Sequence, residues 1–183
     1  EKMQNLFGNP ENLSVQELVE KYKLAQYVPY WQTVEAFDWM KAHREDNALQ
    51  EDLPLIAGSQ SSIIEINEII PIRAYITVRS DNVRSGTFKW LEKHKFPKAE
   101  VITRPNHIAH KNGNKWKAEI LVKMYPEIIG IIDDNPALLD YLPKTYNGTI
   151  FLYSNTTKIQ SDNVVICKSW SNVVEEVTKS YKT

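Results

Sequence analysis

Apolar positions recur at helical spacing in the first third of the chain, then gather into short continuous runs separated by amphipathic stretches. In LSVQELVEKYKLA, Leu13, Leu18, Val19 and Tyr22 fall roughly on one face, and Asn12 or Ser14 is placed to cap that helix. VPYW breaks the pattern, and Thr33 then caps a second helix, VEAFDWMKAHREDN, with Phe37, Trp39 and Met40 as its apolar stripe. After LPLIAGSQ, IIEINEI reads as a further helix that Pro71 ends.

From there the periodicity changes. IRAYIT, AEVITR, EIIGII, TIFLYS and NVVICK are predicted strands; NVRSGTFKWLEKHK, NKWKAEILVKMY, the short PALLDYL and the closing SNVVEEVTKSY are predicted helices. The strand runs are nearly continuous Ile and Val instead of alternating apolar and polar. Together with intervening helices, that pattern predicts a parallel sheet covered on both faces, a doubly wound Rossmann-like α/β architecture. The reading divides the chain into a helical segment, residues 1–53, and an α/β core, residues 54–183.

Composition narrows the classes of function. With 22 Lys and Arg against 23 Asp and Glu, the near-neutral balance argues against a nucleic-acid polymer or an anionic membrane as partner. No apolar stretch approaches the roughly 20 residues of a membrane span, and the polar start EKMQN does not read as a signal peptide. A single cysteine, Cys167 in VVICKSW, excludes an internal disulfide and reads as a strand hydrophobe, which points to a reducing, cytoplasmic setting.

Ligands of doubly wound sheets bind beyond the carboxyl ends of the strands. That rule gathers Thr77, Arg79, Arg104 and the adjacent Asp133 and Asp134 at one rim, with Lys117 on a helix that enters from it. In GIIDDNP, Asn135 and Pro136 suffice to start a helix, which leaves the carboxylate pair unexplained. Two neighbouring carboxylates repel unless a cation or hydrogen-bond donors offset them, and Mg²⁺ held by oxygen ligands is the usual solution at a phosphate site. The four histidines, His43, His94, His107 and His110, show no ligand spacing.

The ordered set of hydroxyl, lysine and acid pair resembles the haloacid dehalogenase-like hydrolases, from Pro54 to about Trp170. AYITVRSDNVRSGTFKWLEKHKFP is similar to their second motif, a strand ending in Thr or Ser, here Thr77. NKWKAEILVKMYPEI is similar to the third, whose lysine corresponds to Lys117 or, alternatively, Lys115. GIIDDNP is similar to the fourth, with Asp133 as principal metal ligand and Asp134 as its helper. The resemblance implies a Mg²⁺-dependent phosphohydrolase working through an aspartyl-phosphate on a phosphorylated small molecule or nucleotide. In it Arg79 is a substrate-binding candidate, and the helical segment is a small cap that helps choose the substrate.

The family's first motif, a strand ending in Asp-x-Asp whose first Asp is the nucleophile, is missing. Every Asp lies in REDN, QEDL, RSDN, IDDN, QSDN, or alone in FDW and LDY, and none makes Asp-x-Asp after an apolar run. In the family that strand lies between those ending at Thr77 and Asp133, so its loss is expected to leave two unpaired edges facing each other. The sequence is accordingly read as a chain cut or begun just upstream of Glu1, inactive as it stands. The competing reading is a non-catalytic pseudo-enzyme or interaction module, for instance a homodimer that covers the incomplete sheet. A receiver domain uses the same residue types in the reverse order.

Overall fold

The computed structural model describes residues 1–22, 25–153, 159 and 161–181. The chain divides into two compact units, Glu1–Asp46 and Asn47–Thr183.

In the first unit, α1 (Lys2–Phe7), α2 (Val15–Tyr22) and α3 (Val34–Arg44) enclose Met3, Leu18, Val28, Trp31 and Ala36. Ser14 caps α2 through a reciprocal box: its hydroxyl accepts from the Glu17 N–H and the Glu17 carboxylate accepts from the Ser14 N–H. Thr33 caps α3, its hydroxyl accepting from the Ala36 N–H at 3.2 Å. Trp31 donates its indole N–H to the Gly8 carbonyl at 2.8 Å. Phe37 and Val19, expected on packing faces, are exposed, because Ala36 and Leu18 one position earlier take the inward direction.

The second unit begins earlier than the sequence pattern indicates. The sequence pattern puts residues 47–53 with the helical segment, but α4 (Asn47–Glu51) packs within this unit, against α6 (Arg84–Lys93). The Asn47 side chain accepts from the Gly86 N–H at 2.6 Å and donates to the Asn82 carbonyl at 2.8 Å. A Cβ on Gly86 would stand 2.3 Å from the Asn47 carbonyl oxygen, so only glycine permits this approach.

The elements then run α5 (Ser59–Ile69), β1 (Ala74–Ser80), α6, β2 (Glu100–Arg104), α7 (Gly113–Met124), β3 (Gly130–Asp133), β4 (Thr149–Tyr153), β5 (Val164–Cys167) and α8 (Trp170–Tyr181). PALLDYL, expected as a short helix, is a 3₁₀ turn over Pro136–Tyr141. The strands are parallel, as the Ile and Val runs require, but they form two sheets and not one continuous sheet. β1 pairs with β2; β3, β4 and β5 pair in that order.

β4 is the centre of the larger sheet, and both its faces are covered. Phe151 points into a core with Ile63 and Ile66 of α5 and Val173 and Val177 of α8. Ile150 points the other way, against Ala118 and Leu121 of α7 and Leu138. Cys167 is fully buried in the first of these cores, and burial pushes its thiol up to about 11. It is therefore a packing residue at neutral pH, not a nucleophile. No helix among the described residues is long and apolar enough to cross a membrane.

Candidate functional site

The first turns of α7 tie three strand ends together. A Cβ on Gly113 would lie 2.9 Å from Val78 Cγ1 and 3.7 Å from Arg104 Cδ, so α7 starts pressed against the ends of β1 and β2. Four residues on, Lys117 Nζ donates to Asp133 Oδ2 at 2.5 Å, at the end of β3. The carboxyl ends of β1, β2 and β3 thus share one rim.

Both members of the Lys117–Asp133 pair are buried, with side chains 10% and 4% exposed. Asp133 Oδ1 also accepts from the Asn135 N–H at 2.9 Å. Its charge is therefore offset inside the protein by an ammonium and a backbone dipole. Asn135 in turn accepts from the Ala137 N–H at 3.0 Å, with Pro136 opening the 3₁₀ turn, so the turn start and the carboxylate are parts of one hydrogen-bonded chain. Asp134 is exposed beside it. Lys115 is exposed as well, so of the two candidate lysines only Lys117 meets the acid pair.

Thr77 and Arg79 lie in an irregular end of β1. The register runs evenly from Ala74↔Glu100 to Thr77↔Thr103, then resumes at Ser80↔Arg104, leaving Val78 and Arg79 without partners on β2. Thr77 Oγ1 accepts from the Arg79 N–H at 3.3 Å, and Arg104 Nε donates to the Val78 carbonyl at 3.0 Å; side chains satisfy what the ladder does not. Arg79 Nη1 donates to Thr87 Oγ1 at 3.3 Å, and no carboxylate among the described residues pairs with it. Burial accordingly pulls its guanidinium below its ordinary value.

Beside this rim, between β1 and β3, lies a slot of about 480 Å³. Thr77 and Arg79 line it, and so does Ile132, the residue before Asp133.

Comparison with protein-family models, with curated proteins and with solved structures gives no match. The site therefore stands on its own geometry.

The sequence-derived set divides accordingly. Lys117 and Asp133 are joined directly, Asp134 adjoins them, and Thr77 and Arg79 share the wall of the slot. His107 and His110 are exposed, and no cluster of three or more His, Cys, Asp or Glu side chains suited to a metal occurs among the described residues. Sequence reasoning gave Arg104 a place on the rim but not its role. It is almost fully buried and donates to the carbonyls of Val78, Pro105 and Ile108, which holds the loop leading into α7. Nothing in the local sequence RPNHIAH distinguishes that arginine from a solvated one.

Proposed function

We propose that this rim is the phosphoryl-handling part of a haloacid dehalogenase-like phosphohydrolase that acts on a phosphorylated small molecule or nucleotide. The observation that carries the reading is the buried Lys117–Asp133 pair at the end of β3 with Asp134 exposed next to it. Ligands of open parallel sheets bind beyond the carboxyl ends of the strands, which supports this rim as the ligand-binding side. A Rossmann-like, doubly wound arrangement of these parallel strands and a cytoplasmic setting belong to the same proposal.

Each side chain has a part in that chemistry. Thr77 Oγ1 already accepts a hydrogen bond, which leaves its proton to donate to a phosphoryl oxygen. Lys117 supplies positive charge from a position fixed by Asp133, and Arg79 a second, uncompensated cation. Asp133 and Asp134 offer hard oxygen donors of the kind and number that Mg²⁺ takes from a protein when substrate and water complete its shell, so the residues fit that ion. Bound there, Mg²⁺ would neutralise phosphoryl charge. The chain holds no Asp-x-Asp to attack phosphorus, so by itself it binds phosphoryl groups without turning them over.

Titrating the ¹⁵N-labelled protein with inorganic phosphate and Mg²⁺ tests the reading. Saturable amide shifts at Thr77, Arg79 and Asp134 that need both components, weakened about tenfold by the loss of one ligand charge in Asp134→Asn, are expected. Unchanged rim amides at millimolar phosphate, or an identical response in the variant, would reject it.

A further inference from the structure

The inward faces of α5 and α8 both end in an unpaired donor. Ser59, Ser62, Ile63 and Ile66 form the buried face of α5, and Trp170, Val173 and Val177 form the matching face of α8; the apolar members of both pack into one core with Phe151 of β4. The spacing along each face is three or four residues, so Ser59 and Trp170 stand at the N-terminal ends of these faces. The two ends touch: a Cβ on Gly58, which precedes α5, would stand 3.7 Å from Trp170 Cβ. Ser59 is 4% exposed, and neither its hydroxyl nor the buried indole N–H of Trp170 has a hydrogen-bond partner among the described residues. Buried polar groups are ordinarily paired, so two orphaned donors at one place mark an acceptor that belongs there.

The local acceptors are engaged elsewhere. The Gly58 carbonyl accepts from the Ser62 N–H and the Ser61 hydroxyl, and the Ile56 carbonyl accepts from the Ser59 N–H. On α8 the Ser169 carbonyl accepts from the Val173 N–H, and the Ser169 hydroxyl accepts from the Asn172 N–H. Charge points the same way. Gly58 brings no side-chain cap to α5, neither helix has an acid in its first turn, and Lys168 adds a positive charge two residues before α8. Two positive helix ends thus meet without a carboxylate of their own to offset them.

We propose that the adjoining N-terminal ends of α5 and α8 bind a tetrahedral oxyanion, a phosphate or sulfate group. Ser59 Oγ and Trp170 Nε1 donate to it, joined by first-turn amides that no carbonyl of their own helix reaches. Water is a poorer occupant, because its own two protons need acceptors that this end does not offer. A carboxylate holds its two oxygens in one plane, whereas the donors here come from two helices, an arrangement that tetrahedral oxygens meet better. Tyr153 flanks the place by stacking on Trp170, with ring centroids 4.8 Å apart. In the register Asp133 faces Leu152, the residue before Tyr153, so this end lies beside the rim and uses none of the residues assigned to it. The inference requires neither Mg²⁺ nor the phosphoryl reading of that rim.

Titration of the ¹⁵N-labelled 183-residue chain with sodium sulfate, free of Mg²⁺ and at constant ionic strength, provides the test. Saturable shifts are expected at the Trp170 indole N–H and at the amides of Gln60, Ser61 and Ser171, all with one dissociation constant. Ser59→Ala and Trp170→Phe should each weaken binding about tenfold, as for the loss of one hydrogen bond to a charged acceptor. Ser59→Ala removes an unpaired hydroxyl, so its urea midpoint without sulfate should equal or exceed that of the parent, which separates lost binding from lost folding. Inorganic phosphate should compete with sulfate. Glycerol 3-phosphate binding as tightly as inorganic phosphate would make the ligand an esterified phosphate, and its exclusion would make it the free ion; both outcomes support the site. A Trp170 indole N–H unmoved at millimolar sulfate, an undiminished affinity in Ser59→Ala, or equal shifts with acetate would overturn the proposal.

Discussion

Lys117 and Asp133 illustrate how a charge pair can be costly to break and cheap to replace. Both are nearly inaccessible, so removing one leaves an uncompensated buried charge. We expect Lys117→Met to lower stability by about 3–5 kcal/mol in urea unfolding, and Lys117→Met with Asp133→Asn to recover most of that loss. Additive losses would mean that the two residues do not act as a pair. Tyr146 is a different case. Its hydroxyl is buried without a hydrogen-bond partner among the described residues, and burial pushes it from 10 to about 12. The folded chain holds this proton more tightly than the unfolded one, so its contribution is complete below pH 10 and is lost as pH rises from 10 towards 12. Tyr146→Phe should leave stability at pH 7 unchanged or slightly higher and flatten the alkaline decline by up to about 2 kcal/mol. An unaltered decline between pH 10 and pH 12 would contradict that burial effect.

Elements were legible where local chemistry and periodicity agree. Thr33 and the Ser14–Glu17 box announce their helices, and the Ile and Val runs announce buried parallel strands. Less legible were elements made by tertiary contact. α4 has only five residues and no apolar stripe; what seats it is Asn47 against the bare backbone of Gly86, a pairing 39 residues apart. Gly86→Ala would drive a methyl into the Asn47 backbone, with a cost of about 1–3 kcal/mol expected from overpacking. A urea midpoint equal to that of the parent would show that α4 can shift away without loss. The irregular end of β1 was equally hidden. RSDN reads as a helix start, and a 3₁₀ turn does begin at Asp81, but the register slip at Val78 and Arg79 involves Arg104 and Gly113 from later in the chain.

At the scale of the whole molecule, the order of strands and helices puts the acid pair and the strand-end hydroxyl at one rim and leaves the lysine open between Lys115 and Lys117. The rule that ligands meet the carboxyl ends of parallel strands is a property of topology, not of any one residue. What order cannot give is how charges are settled. Asp133 is satisfied by Lys117 and the Asn135 N–H, while Arg79 has no carboxylate partner among the described residues. The rim and the slot share residues, since Thr77 and Arg79 line the slot beside the rim. The most direct measurement is calorimetric binding of inorganic phosphate by the 183-residue chain with and without Mg²⁺, run beside hydrolysis of p-nitrophenyl phosphate. The account expects Mg²⁺-dependent phosphate binding that Asp134→Asn weakens about tenfold, and no turnover by the chain. Turnover by the chain that Asp133→Asn abolishes, or no phosphate binding in the presence of Mg²⁺, would contradict it.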